Sequence, residues 1–340
     1  MRIKKTINVL VVDDSLLFRE VISRGISTDP DIEVIAKAAD PFEARDKLLQ
    51  YQPDIMICDI EMPKMNGIEF INRLLPQYPI PVIVVSVISH AVFDALNAGA
   101  VDFIAKPNMR EANNVEVFIE ELIEKIKIAS MAKVLPRRNT VKQSPDPVHS
   151  TGITKKLIAI GASTGGTEAI LNLLKSLSSN LPGIVIVQHI PPLFSTMFAE
   201  RLNSELPLSV KEAQTGDYIE TGTVLIAPGD RHMRVKKEGA KYKVECFRGE
   251  KVNGHCPSID ILFDSVAKEV GKQAIGIILT GMGYDGAKGL LAMRRKGART
   301  IGQDEKTSVV YGMPKVAFEI GAVEKQASLS AIPDVLYSMI

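Results

Sequence analysis

Tryptophan is absent from this 340-residue chain, and tyrosine and phenylalanine raise the aromatic share to only 5%. An excess of either charge is missing too: 41 Lys and Arg face 40 Asp and Glu, a formal net charge of +1. With neither a basic excess nor interleaved aromatics, the sequence makes no electrostatic case for nucleic acid or anionic membrane as the main partner. Cysteine is scarce. Cys58, Cys246 and Cys256 have no metal-type pair spacing and form no even-numbered framework, which fits a reducing cytosol. No apolar run approaches transmembrane length. Arg2, Lys4 and Lys5 precede a short apolar stretch, but Asp13 and Asp14 end it before it could serve as a signal-peptide core. The expectation is a cytoplasmic protein without direct membrane insertion.

What is present is ordinary for a globular chain, with 46% hydrophobic and 24% charged residues. The length suggests two domains, each able to bury its own core. Residues 8–107 alternate between short apolar runs ("NVLVVDD", "IEVIAKAAD", "DIMICDI", "IPVIVVSV", "VDFIAKP") and amphipathic stretches such as "SLLFREVISRGI" and "ARDKLLQY". Continuous β-branched runs separated by helices predict parallel strands buried on both faces. Five such units make an open doubly wound sheet, whose chemistry gathers at the carboxyl ends of its strands.

Four of those ends carry reactive groups. Asp13 and Asp14 close the first strand, Asp59 the third, Ser86 the fourth and Lys106 the fifth. Three carboxylates at one edge repel each other unless a cation sits among them, and an all-oxygen donor set suits Mg²⁺. One carboxylate could then attack a phosphoryl group, with Lys106 and Ser86 holding its oxygens. A single strand-end aspartate is more often a helix cap; this set of residues at matching strand ends is harder to dismiss. The first 125 or so residues resemble the flavodoxin-like receiver domain of bacterial response regulators. The resemblance implies that Asp59, in "CDIEMPKMNG", is the phosphoacceptor. It implies that Asp13, Asp14 and the backbone carbonyl of Glu61 position Mg²⁺ with Asp59, that Phe103 is the aromatic that changes rotamer on activation, and that a histidine kinase is the phosphodonor.

Residues 1–131 are thus expected to form the receiver and residues 132–153, "AKVLPRRNTVKQSPDPVHSTGI", a linker, since Pro136, Pro145 and Pro147 exclude regular structure. Residues 154–340 again read as α/β, with apolar runs "KLIAIG", "GIVIVQHI", "TVLIAPG" and "AIGIILTGM" and a hairpin in "MRVKKEGAKYKVECF" turning at Glu238-Gly239.

"IAIGASTGGTEAI", residues 158–170, fits two templates: a G-x-S-x-G nucleophile elbow and a loosened G-x-G-x-x-G cofactor loop. A dinucleotide site needs an acidic residue at the end of the next strand, and that strand ends in Gln188-His189. The histidine favours the nucleophile. Ser163, His189 and Asp285 leave three strands and can serve as nucleophile, base and the group that orients the base. Amides of "TGG" and "GMG" suit an oxyanion. The order Ser, His, Asp is not that of α/β-hydrolases. His232 and His255 read as substrate-facing or simply as loop residues.

"GASTGG", "VQH", "APGD", "PSID", "LTGMGYDGAKG" and "VVYGMPKVA" together resemble the catalytic domain of the chemotaxis protein-glutamate methylesterases, a second doubly wound, Rossmann-like α/β domain. The resemblance implies hydrolysis of glutamate γ-methyl esters on methyl-accepting chemotaxis receptors, often with deamidation of receptor glutamines. It assigns Ser163, His189 and Asp285 as the triad, Thr164 and Met282 to the oxyanion site, and no cofactor to this half. It also implies a receiver docked over the Ser163 edge and loosened by phosphorylation. Cys256 stands where the family commonly has arginine. The rival reading is a non-catalytic signalling adaptor with a nucleotide- or receptor-binding output domain.

Overall fold

A computed structural model of the chain describes residues 6–87, 90–108, 112–134 and 157–340. Of the expected linker, only residues 132–134 are among them. The chain forms two compact units, Met1–Arg138 and Asn139–Ile340.

In the first unit the apolar runs become β1 (Ile7–Val12), β2 (Ile32–Ala38), β3 (Ile55–Asp59), β4 (Val82–Ser86) and β5 (Asp102–Ala105). Helices α1 (Leu16–Ile26), α2 (Pro41–Tyr51), α3 (Gly67–Leu74), α4 (Ala91–Ala98) and α5 (Ala112–Ala129) alternate with them. The sheet is parallel in the order β2-β1-β3-β4-β5. Every residue of β3 and β4 is buried, as strands covered on both faces must be. Helix starts are written locally. Ser15, Asp40 and Asn66 each accept a first-turn amide, a cap worth about 1 kcal/mol. Phe18, Ile22 and Ile26 form the buried stripe of α1 at helical spacing.

The second unit has seven parallel strands: β6 (Leu157–Ala162), β7 (Gly183–Gln188), β8 (Ser209–Glu212), β9 (Thr223–Ile226), β12 (Ala274–Ile278), β13 (Arg299–Gln303) and β14 (Lys325–Ala327). The hairpin strands β10 (His232–Glu238) and β11 (Lys241–Phe247) make a separate sheet. The helices are α6 (Gly166–Lys175), α7 (Phe194–Glu205), α8 (Ile259–Glu269), α9 (Ala287–Arg295), α10 (Met313–Glu319) and α11 (Ile332–Tyr337).

The order β14-β13-β12-β6-β7-β9-β8 shows the double winding. From β6 the chain builds outward through β7, β8 and β9, then returns to build the other way from β12. The switch point lies between β6 and β12, where such sheets bind their ligands. The core gathers Leu157, Val185 and Leu225 of the sheet with Phe263 and Val266 of α8 and Leu290 of α9. The hairpin joins it through Met233 and Val235, and the Val235 amide donates to Ser265 Oγ at 2.8 Å.

The expected hairpin turn is displaced by one residue. Glu238 pairs with Lys241, so Gly239 and Ala240 make the turn, Gly239 taking φ 59°. Strands β8, β13 and β14 had no counterpart among the predicted runs. Strands β8 and β14 are short, and "SVKE", "RTIGQ" and "KQA" carry too few apolar residues to stand out. Among the described residues no helix is long and apolar enough to cross a membrane.

Candidate active site

At the carboxyl edge of the first sheet three carboxylates come together. Asp13 and Asp59 are buried, Asp14 is exposed, and one oxygen of each lies within 4.8 Å of the others. Lys106 Nζ donates to Asp59 Oδ2 at 2.6 Å and lies 3.2 Å from Asp13 Oδ2 as an ion pair without hydrogen-bond alignment. Asp13 Oδ2 and Ser86 Oγ are both buried without a hydrogen-bond partner among the described residues. Burial pushes the Asp13 carboxyl up, helped by the charge of Asp59. It pushes Asp59 up as well, against the pull of Lys106. An orphaned buried carboxylate oxygen in an all-oxygen cluster is what a divalent cation would complete, so the residues fit Mg²⁺.

The Glu61 amide donates to Asp59 Oδ1 at 3.2 Å, placing Glu61 beside that carboxylate. Phe103 is buried, with the Lys125 ammonium 5.8 Å from its ring centroid. Two supports were not read from the sequence. Phe18 lies under the Lys106 ammonium at 5.0 Å, and Gly67 packs so tightly that a Cβ would sit 2.2 Å from the Asp59 carbonyl oxygen.

In the second unit β6 lies between β12 and β7, with Ile278 paired to Gly161 and Ala162 to Gln188. The backbone ladder runs one step further on each side. Ser163 N–H donates to the Thr280 carbonyl at 3.0 Å and His189 N–H to the Ala162 carbonyl at 3.1 Å. Ser163 and His189 thus leave adjacent strands side by side. The Gln188 carboxamide ties them, donating to the carbonyls of Ser163 at 2.9 Å and His189 at 3.0 Å. Gly165 takes φ 73° in the tight turn, and a Cβ on Gly166 would strike Gln188 Oε1 at 2.1 Å.

Asp285 completes the group. Its Oδ2 lies 3.0 Å from His189 Nε2. It also accepts from Ser258 Oγ at 2.8 Å, the Ile259 amide at 2.7 Å, the Asp260 amide at 3.3 Å and Asn253 Nδ2 at 2.7 Å. Burial alone would raise this carboxyl. The hydrogen bonds from His189 and Asn253 hold it well below the usual carboxylate range. An ionised Asp285 fixes the proton of neutral His189 on Nε2. Nδ1 is then a buried lone pair with no partner among the described residues.

Thr164 is buried just past the serine, and Met282 is partly exposed. The Gly281 carbonyl accepts from the amides of Gly312 at 3.1 Å and Met313 at 2.8 Å. In a trans peptide this turns the Met282 N–H the opposite way. A Cβ on Gly281 would lie 2.6 Å from Ser163 Cβ, so the Gly281–Met282 peptide is against the serine.

Of the other histidines, His232 is structural: it accepts from the Ser258 amide at 3.2 Å through Nδ1 and contacts the Glu250 carbonyl at 2.9 Å through Nε2. His255 lies in the loop before α8, and its ring stacks on His189 at 3.7 Å between centroids. Cys256 is half-buried, its thiol pushed up by burial and by Asp230. Gln188, Asn253 and Ser258 were missed as site residues, and His255 was not read as a neighbour of the base. The Asn-Gly pair at 253–254 was the one local signal, a tight-turn signature.

Residues 158–336 match the family described as CheB methylesterase, and residues 9–115 match the response regulator receiver domain. The chain is 58% identical over 340 residues to protein-glutamate methylesterase/protein-glutamine glutaminase 2 of Syntrophomonas wolfei, covering 100% of this chain and 99% of that one. It is 45% identical to the Pseudomonas aeruginosa protein of the same name, covering 96% and 95%. The solved catalytic domain of the Thermotoga maritima CheB methylesterase is 37% identical, with a TM-score of 0.53, and spans 55% of this chain and 99% of its own. With a receiver edge in the first unit and a Ser-His-Asp edge in the second, the chain belongs to the CheB family of receiver-linked protein-glutamate methylesterases.

Proposed function

We propose that the second domain hydrolyses glutamate γ-methyl esters on methyl-accepting chemotaxis receptors and deamidates receptor glutamines, and that the receiver in front regulates it by phosphorylation. The observation that carries the reading is the His189 ring. It gives Nε2 to Asp285 and leaves Nδ1 buried, without a hydrogen-bond partner among the described residues, just past the end of the strand beside that of Ser163.

The chemistry follows from those atoms. Ser163 Oγ attacks the ester carbonyl carbon as its proton passes to His189 Nδ1. The imidazolium so formed is stabilised by Asp285. The oxyanion takes the Met282 amide and an amide of the Thr164 turn. Collapse breaks the C–O bond, and methoxide leaves as methanol with the proton from Nδ1. Water, deprotonated at the same nitrogen, releases the glutamate carboxylate and restores Ser163. A glutamine follows the same course with ammonia as the leaving group.

At the receiver edge Asp13, Asp14, Asp59 and the Glu61 carbonyl would hold Mg²⁺, which neutralises carboxylate charge and draws the phosphoryl oxygens. Asp59 takes the phosphoryl group of a histidine kinase, while Lys106 and Ser86 hold its oxygens and Phe103 responds by rotamer. The adaptor reading gives no reason for a histidine oriented by a donor-saturated aspartate. Ser163→Ala is expected to abolish methanol release from methyl-labelled receptor membranes and to leave receiver phosphorylation intact. Near wild-type release would sink the assignment.

A further inference from the structure

Residues 252–255, "VNGH", form a two-residue hairpin closed by two backbone bonds, Val252 N–H to His255 O and His255 N–H to Val252 O, each 3.0 Å. Asn253 and Gly254 both have positive φ, 54° and 86°, as a type I′ turn demands. Nothing lies within 4 Å of a Cβ placed on Gly254, so that glycine is there for its conformation.

Both functional side chains of the turn reach the catalytic pair. The Asn253 amide donates one N–H to Asp285 Oδ1 at 2.7 Å and the other to Asp260 Oδ2 at 2.8 Å. The His255 ring lies on the His189 ring with an interplanar angle of 17°. Asp260 is itself anchored, accepting the Gly289 amide at 2.7 Å. One tight turn therefore grips Asp285 with one residue and His189 with another.

We propose that the Val252–His255 turn is a clamp on the His189–Asp285 pair, with Asn253 and His255 as positioning residues. This rests on the methylesterase reading and adds to it the residues that hold the base in register. An imidazole at a strand end can rotate about two side-chain bonds, and only one orientation aims Nε2 at Asp285 while leaving Nδ1 for the serine. The stacked His255 ring blocks rotation out of that plane, and Asn253 fixes the carboxylate that Nε2 must meet. Misplacement of about 1 Å at such a pair can cost roughly 10²-fold in rate.

The clamp works with His255 neutral, because a second charge against the ring would oppose the imidazolium formed during proton transfer. Burial, and then the charge of His189, push His255 down to about 4; Asp285 pulls the other way and Lys251, beside the turn, adds to the depression.

The test uses the full chain carrying His255→Ala, His255→Phe or Asn253→Gly, the last keeping the turn while deleting the amide. Turnover and KM are measured by methanol release from methyl-labelled receptor membranes. The proton on His189 Nε2 is followed by NMR on histidine-labelled protein. His255→Ala is expected to lower kcat by roughly 10–100-fold with KM changed less than about twofold, and to broaden or shift that proton. His255→Phe, which restores a flat neutral ring, recovers most of kcat and the wild-type resonance. Asn253→Gly lowers kcat by about tenfold and moves the same resonance. Wild-type turnover and an unmoved resonance in both His255→Ala and Asn253→Gly overturn the clamp, as does a His255→Phe no better than His255→Ala. If wild-type protein releases no methanol, the methylesterase reading fails, and the His189 resonance alone then decides for or against the clamp.

Discussion

Two buried aspartates, one in each domain, sit at the carboxyl edge of a parallel sheet and end in opposite states. Asp13 and Asp285 are each 1% exposed. Burial raises both carboxyls, yet Asp13 stays high and Asp285 falls well below the ordinary range. Part of the difference is the charge of Asp59 beside Asp13, and the rest is the supply of donors. Among the described residues Asp13 has the Ser15 amide on one oxygen and the poorly aligned Lys106 ammonium beside the other. Asp285 accepts from His189, Asn253, Ser258 and two amides at the start of α8. Those amides are orphan donors of a helix N-terminus, and Ser258, the N-cap residue, spends its hydroxyl on Asp285 instead of on the helix. A carboxylate left short of donors is a place to receive a cation. One saturated with donors is a fixed counter-charge that needs none.

The largest effects break each side of that contrast. Asp59→Asn should eliminate phosphoryl incorporation, because the amide cannot attack phosphorus. Chelation of Mg²⁺ should do the same to the wild type while leaving basal methanol release by the Ser163 edge in place. Hydroxylamine-sensitive phosphate persisting in the variant would mean that another carboxylate is the acceptor. For Asp285→Asn the expected loss is on the order of 10³–10⁴ in turnover, since the oxyanion amides and substrate binding survive. Normal turnover would reduce Asp285 to a cap for α8 and leave His189 without its partner.

Ser258→Ala sharpens the contrast instead of breaking it. Asp285 Oδ1 loses one donor but keeps Asn253 at 2.7 Å and, more weakly, the Asp260 amide at 3.3 Å. One such bond is worth about 1–3 kcal/mol of stability, which urea unfolding would read directly. Turnover should fall less than tenfold. A loss as large as that of Asp285→Asn would show that Ser258 alone, not the sum of donors, keeps the carboxylate ionised.

The sequence displayed the strand ends and hid most of what surrounds them. Asp13, Asp59, Ser86, Lys106, Ser163 and His189 were legible because a βα unit sends the residue after an apolar run to one known edge. Asp285 was legible for the same reason, although it comes seven residues after Ile278, the last of β12. Gln188 was passed over because a strand-terminal glutamine has no chemistry of its own; its role appears only when one amide reaches two carbonyls. His255 and Asn253 come from a loop between the hairpin and α8, and no periodicity fixes where such a loop folds. Their meeting with Asp285 is a tertiary fact. Strands β8, β13 and β14 were missed for a simpler reason: toward the margins of the sheet, strands need less apolar sequence than central ones.

In the acid response of the catalytic domain, His255 and Asp285, which meet His189 from two sides, should separate by pH. His255 binds its proton at about 4 in the native state, against 6.5 in an unperturbed imidazole. Between those values the unfolded chain holds a proton that the native chain lacks, so stability rises with pH there. The contribution is complete above about pH 6.5 and is lost as pH falls toward 4. Asp285 has the same sign in a lower window. Its depressed carboxyl contributes in full above the ordinary aspartate value of 3.8 and loses that contribution only as pH falls below it toward the native value. Acid titration of the catalytic-domain unfolding midpoint should therefore show two phases, one above about pH 4 and one below it. His255→Phe should flatten the upper phase and leave the lower in place. An upper phase unchanged in that variant would assign it to another group and show that the stacked His255 ring is not held neutral by its burial.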